Sequence, residues 1–253
     1  AQGLRVMAMR QNQGLAALAD VAGLSEAPTT FHAGFIFGPR VNAGGRVGEA
    51  SMGTRILSTD DPLEARALAI KLHEFNTERK LIEDQVLAEA IDIVEREARN
   101  DLVVMAAGDG WHPGVIGIVA ARLKEKYNRP ACVIAFDENG IGKASGRSVS
   151  GIDLGGAIIS AKQKDFLVNG SGHKMAAGFT VLRDLYGPFR DYINQHATDQ
   201  LSGIPYAPEL RVDRCLSVSA LTLDLVEKIS LLAPYGAGHA EPRFALSGVK
   251  IIR

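Results

Sequence analysis

Glycines set beside cationic and hydroxyl side chains mark where this chain could do chemistry, and that chemistry is phosphate binding. Gly108-Asp109-Gly110-Trp111-His112-Pro113-Gly114 separates an apolar run from a helix-forming one. Backbone N–H groups at such a helix start can hold phosphate. Lys143-Ala144-Ser145-Gly146-Arg147-Ser148 reads as a strand running into a polar turn. There Ser145 offers a hydroxyl and Arg147 a planar fork that matches phosphate oxygens. In Gly170-Ser171-Gly172-His173-Lys174-Met175-Ala176-Ala177-Gly178 the glycines let a ligand approach the backbone closely. The His173 imidazole can donate, accept or ligate a metal. Asn42-Ala43-Gly44-Gly45-Arg46 adds Arg46 as an anion contact. The stretch from Pro234 to Pro242 reads as a structural corner before the last strand.

A bond-breaking centre is not legible beside these features. The sequence has no His-x-His, His-Glu-x-x-His, paired Cys-x-x-Cys, Asp-His-His or phosphate-loop lysine motif. His32, His73, His112, His173, His196 and His239 are scattered without metal-ligand spacing, and no Gly-x-Ser-x-Gly elbow is present. A rival reading starts from the Gly108 turn. Asp137, at the end of the following strand, stands where a dinucleotide fold keeps its ribose-binding acid. An NAD(H)-dependent oxidoreductase domain therefore stays open, although the glycine spacing departs from the fingerprint and Trp111-His112-Pro113 bulks the turn.

Composition narrows the classes. With 253 residues, 46% of them hydrophobic, the chain can bury a core without staples, as one large or two modest domains. No apolar run has the length of a membrane span, and Cys132 and Cys215 make no disulfide framework, so a cytoplasmic setting is expected. The net charge of −1 excludes a uniformly basic coat but not a local basic groove. The acids cluster: residues 56–100 hold eleven against six basic side chains. The remainder of the chain is accordingly net positive.

The acidic block is also the strongest helix. Thr59, Asp60 and Asp61 precede Pro62, a good N-terminal signal. Leu68, Leu72, Phe75, Ile82, Val86, Ala90 and Ile93 then recur at helical spacing. Unbroken from Pro62 to Ala98 it would be about 55 Å long, and a break near Asn76 is weighed. From Asp101 the pattern becomes strand (102–107), helix (115–127), strand (131–136), strand (141–147), helix (152–161) and strand (177–182). After Pro205 come a short strand (209–212), a helix (220–231) and a last strand (243–252). Residues 1–58, with a helix-compatible stretch from Leu4 to Val21, read as the tail of a domain.

Taken together, GPRVNAGGR (38–46), Phe75-Asn76-Thr77-Glu78-Arg79, GWHPGVIGIVAARL (110–123), KASGRS (143–148), GSGHKMAAG (170–178) and LAPYGAGHAEPRF (232–244) resemble the RecJ family of single-stranded-DNA-specific exonucleases, in the DHH phosphoesterase superfamily. They stand in the family's order along nearly the whole chain. The resemblance implies an α/β protein. It would comprise the C-terminal remnant of a DHH domain (1–58), a connecting helix (59–99), a DHH-associated domain with a mixed sheet (100–200) and the start of an OB-like β-barrel (205–253). It implies 5′→3′ hydrolysis of single-stranded DNA in repair and recombination, with Mn²⁺ or Mg²⁺ as cofactor in the intact enzyme. Single-strand-binding protein or helicase partners are also implied. Catalytic and metal residues are expected to be none here, because the Asp-His-His motifs are absent, and the isolated chain is expected to be inactive. Arg46, Asn42, Ser145, Arg147, Gly172 and His173 would line the DNA groove, with His112 near it. The family's Gly-Gly-His reads Ser171-Gly172-His173 here, and its Phe-Gly turn reads Tyr235-Gly236. A non-catalytic nucleic-acid-binding adaptor is the alternative.

Overall fold

A computed structural model describes residues 1–98, 100–202, 206–207, 209–236 and 238–250. They fall into two compact units. One comprises Ala1–Val41, Thr54–Lys71 and Ala207–Arg253; the other comprises Asn42–Gly53 and Leu72–Tyr206.

The first segments are helices joined by turns and irregular connections. The stretch expected from Leu4 to Val21 is two helices, α1 (Gln2–Ala8) and α2 (Gln13–Val21), because Arg10 takes a left-handed φ of 55° and Asn12 restarts the helix. Asn12 Oδ1 accepts the Leu15 N–H at 2.9 Å, and its amide donates to the Leu57 carbonyl at 3.0 Å. A π-helical turn, His32–Phe37, runs directly into α3 (Gly38–Val47), and α4 (Ser51–Ser58) follows. The glycine-rich 38–46 segment is therefore helix. Then comes α5 (Pro62–Ile93), capped by Asp61, whose Oδ1 accepts the Leu63 N–H at 2.9 Å. No break occurs at Asn76. That residue is buried and its Oδ1 accepts from Arg79 Nη2 at 3.0 Å, so its polarity is satisfied within the helix. A π-helical turn, Val94–Ala98, ends the run.

The larger unit is a sheet between helices. Its elements are β1 (Val104–Asp109), α6 (Ile116–Tyr127), β2 (Ala131–Phe136), β3 (Ile141–Arg147), α7 (Leu154–Gln163), β4 (Asn169–His173), β5 (Ala176–Leu182) and α8 (Tyr186–Gln200). The five-stranded sheet runs β1-β2-β3-β5-β4, with β1 and β2 parallel and the other neighbours antiparallel. It is the mixed sheet expected, with β1 starting two residues later and with β4 and α8 added. On one face Met105, Cys132, Ile134, Phe179 and Val181 pack with α7 and with Phe189 and Ile193 of α8. On the other, Val104, Ala106, Val133 and Ala135 pack with Val119 and Leu123 of α6 and with Val86 and Ala90 of α5. Strand β2 is buried on both faces, which is why it reads as a continuous apolar run.

The last segment holds β6 (Arg214–Leu216), α9 (Leu223–Ser230) and β7 (Phe244–Leu246), with β6 and β7 parallel. The strand expected at 209–212 lies instead at Arg214–Leu216, where pairing with β7 supplies its hydrogen bonds. The expected strand 243–252 is shorter, and Ile251 and Ile252 lie outside the described residues.

Cys132 lies wholly within the sheet core, and burial pushes its thiol up to about 12, whereas Cys215 is exposed. A thiol reagent at pH 8 is expected to label Cys215 alone in the native chain and both cysteines in denaturant. Native labelling of Cys132 at a similar rate would contradict the two-sided burial of β2.

Candidate nucleic-acid interface

Strand β3 alternates. Gly142, Ala144 and Gly146 face the α7–α8 core, and Lys143, Ser145 and Arg147 face the other way. The strand expected at 141–147 runs through Arg147 itself, and its chemistry lies on one face at period two. Register extends that face across the sheet. Arg147 opposes Ala176, which opposes His173; Ser145, Gly178 and Ser171 form the next row; Lys143, Thr180 and Asn169 the third. Cross-strand partners share a face. The result is a surface polar at both margins and floored by Ala176 and Gly178, with Gly178, Ser171 and His173 exposed. An added Cβ at Gly178 would meet only the Ala144 carbonyl, at 3.9 Å, so the floor is open.

The start of α6 borders this face. Gly117, in its first turn, leaves so little room that an added Cβ would lie 3.1 Å from both Arg147 Nη2 and Ser145 Oγ. Arg147 Nη1 donates to Ser145 Oγ at 3.0 Å and to the Gly146 carbonyl at 2.8 Å, which orients the guanidinium and leaves the hydroxyl proton free to donate. One turn upstream the Gly114 carbonyl accepts from Arg46 Nη1 at 3.0 Å, and the Gly114 N–H donates to His112 Nδ1 at 3.0 Å. Gly114 is obligatory, since a Cβ there would lie 2.2 Å from the Arg46 carbonyl. Arg46, Ser145 and Arg147 thus gather around one helix N-terminus, an arrangement suited to an anion. Burial, and then the charges of Arg79 and Arg147, hold the Arg46 guanidinium below its ordinary pKa, while Glu83 acts in the opposite sense.

The remaining expected residues divide. His173 is exposed on the face, and its Nδ1 accepts the Met175 N–H at 3.3 Å, so the neutral ring carries its proton on Nε2. Gly172 points the other way: an added Cβ would lie 2.6 Å from the Ala176 carbonyl. What it offers a ligand is backbone on the edge strand β4. The Gly170–Gly178 stretch is the β4–β5 hairpin, pressed so tightly onto α7 that a Cβ on Gly155 would lie 2.7 Å from His173 backbone atoms. His112 is half-buried and used within its own turn. Asn42 is exposed on α3, one turn before Arg46. Asn169, Ser171 and Thr180 share this face and were not among the expected contacts. Alternation in β3 was the available signal, and β4, without an apolar run, gave none.

Two other chemistries fit poorly. Among the described residues no group of three or more His, Cys, Asp and Glu side chains could hold a metal ion. At the Gly108 turn, an added Cβ would lie 2.1 Å from the buried Trp111 ring, whose Nε1 donates to Glu89 Oε2 at 2.7 Å. The indole fills the space a pyrophosphate would need. The crevice at the ends of β1 and β2 is lined by Asp109, Asp137 and Glu138, and its cation, Arg183, is paired with Asp109. Carboxylates there repel a dinucleotide.

The five-stranded sheet lies within a region that matches a known domain. Residues 83–197 match the DHHA1 domain and residues 212–253 the RecJ OB domain, which defines a protein of the DHHA1-plus-OB class. Over nearly its whole length the chain is similar to RecJ proteins. The single-stranded-DNA-specific exonuclease RecJ of Haemophilus influenzae is 33% identical over 96% of this chain and 44% of its own length. That of Bacillus subtilis is 33% identical over 83% of this chain and 26% of its own. A crystal structure of RecJ in complex with Mn²⁺ from Thermus thermophilus superposes with a TM-score of 0.81 at 31% identity, covering 96% of this chain and 35% of that one. The chain thus spans less than half the length of these relatives.

Proposed function

We propose that this chain is the substrate-holding part of a RecJ-type 5′→3′ single-strand exonuclease. The observation that supports this best is the row Arg147–Ala176–His173, continued by Ser145–Gly178–Ser171. It gives phosphate donors at the margins and a floor low enough for a sugar–phosphate chain to lie on. Arg46, Asn42 and the backbone at Gly172 extend that surface, with His112 bracing the turn beside it. In this reading residues 1–58 end a DHH domain, 59–99 connect, 100–200 form the DHH-associated domain and 205–253 begin the OB-like domain. The Mn²⁺ or Mg²⁺ ions of the intact enzyme belong to the DHH portion, where metal would supply water activation. The residues described here do not fit such an ion, and no step is assigned to it. The setting is the cytoplasm, with single-stranded DNA as ligand and single-strand-binding protein or helicase as partners. None of the described helices is long and apolar enough to cross a membrane.

The test uses this chain with a 5′-labelled oligothymidylate in Mn²⁺ buffer. Binding that weakens as salt rises is expected, with no nucleotide released. Chelator-sensitive release would show that the chain holds its own reaction centre. Saturable NAD(H) binding with no DNA binding would favour the oxidoreductase reading.

A further inference from the structure

The Phe75–Arg79 motif has no place in the phosphate face, yet it holds some of the most buried polar side chains described. Asn76 is 2% exposed, Arg79 8%, and Glu83, one turn on, 6%. Charges are rarely taken so far from water unless they are paired. Here they form a chain: Arg79 Nη2 donates to Asn76 Oδ1 at 3.0 Å, Arg79 Nη1 donates to Glu83 Oε2, and Glu83 Oε1 lies 3.6 Å from Arg122 Nε. The Arg79 Nε–H has no partner. The end of α3 rests on this same stretch of α5. An added Cβ at Gly48 would come within 2.4 Å of the Phe75 ring, and one at Gly44 within 3.3 Å of Leu72 Cδ2. Arg46 lies between those two glycines, and its guanidinium feels Arg79 and Glu83 with opposite signs.

We infer that Glu83 is the resident counterion at the buried edge of the phosphate face, held in place by Arg79 and neutralising Arg46 in competition with the phosphate that the site receives. Without ligand, a single carboxylate shared by Arg79 and Arg122 and felt by Arg46 keeps the cluster together. When phosphate arrives, part of that neutralisation becomes redundant. Arg79 is too buried to meet a ligand and is a positioning residue: its charge fixes Glu83 and offsets it. The inference rests on the phosphate-face reading above and assigns that face its internal regulator.

Four variants of the full chain test it, with oligothymidylate as probe. Glu83→Gln is expected to bind about tenfold tighter than the parent and to melt lower without DNA, since the arginines then repel one another. Arg79→Met, which leaves Glu83 to neutralise Arg46, is expected to bind about tenfold weaker with an unchanged salt slope, because a buried cation releases no counterions. Arg79→Met combined with Glu83→Gln should recover most of that loss, whereas Arg79→Lys, which keeps the charge, should bind like the parent. A merely structural ion pair predicts neither the tightening nor the recovery. A folded Glu83→Gln chain with unchanged or weaker affinity overturns the inference. Should that variant not fold, a double variant binding no better than Arg79→Met overturns it, as does an Arg79→Lys chain that binds as weakly as Arg79→Met. Failure of the parent chain to bind DNA at all counts against the phosphate face itself, whereas parent binding with an unresponsive Glu83→Gln counts against this inference alone.

Discussion

Arg147→Ala is expected to weaken binding of single-stranded DNA by about ten- to a hundredfold, on the order of 1.5–3 kcal/mol. The guanidinium is half-buried, oriented by Ser145 Oγ and the Gly146 carbonyl, and pressed against the first turn of α6 at Gly117. A phosphate there would meet a cation already desolvated and held in one pose, so little rotamer freedom remains to be lost on binding. The slope of log K against log salt should fall by about 1, as for removal of one phosphate contact. Folding should be little affected, since the side chain bonds only to its own strand. Equilibrium titrations at several salt concentrations check both quantities. An unchanged affinity would move the ligand off this face.

Phe189→Ala should have the largest effect on stability, a loss of about 3–5 kcal/mol. Phe189 is fully buried on α8, its ring 5.0 Å from that of Phe179 and tilted 55° to it. It fills the centre of the layer where α8 closes over β5 and α7. Native domains have only about 5–15 kcal/mol to lose, so the melting temperature should drop by roughly 10–20 °C. Trp111, the single tryptophan of the chain, lies in the core on the opposite side of the same sheet, and its fluorescence during urea unfolding is the natural monitor. A loss below about 1 kcal/mol would show that α8 is not a structural layer.

Where burial repeats along the chain, the fold was legible. Strand β2 shows its two covered faces as six apolar residues in a row, and α5 announces its start through Thr59, Asp61 and Pro62. What escaped reading turned mostly on glycine. Gly44 and Gly48 are contact points that let α5 approach the end of α3, a role that glycine content alone does not reveal. Gly146 suggested the approach to a turn, but a Cβ there would lie 2.7 Å from Leu154 Cδ2, so within the strand the glycine is the space into which α7 packs. Gly187 and Pro188 hid α8, although proline is tolerated in a first helical turn and Phe189, Ile193 and Ala197 keep a spacing of four. Strand β4 has no propensity of its own and forms because β5 offers an edge. For the site, the residue types were visible and the geometry was not. Arg46, Ser145, Arg147 and His173 stood out as phosphate contacts, but only cross-strand register shows which of them share a face. Glu83 was invisible as an individual within the acidic helix, because only burial distinguishes it from its solvated neighbours.

A single strand is proposed to lie on the open face of β3, β5 and β4. Backbone amide chemical shifts recorded during titration with a short oligothymidylate test it most directly. Perturbations are expected to concentrate at Gly117, Ser145, Arg147, Ser171, Gly172, His173, Ala176 and Gly178 and to extend to Arg46. Shifts that instead cluster in the Asp109–Asp137–Arg183 crevice, or along α7 and α8, would contradict it.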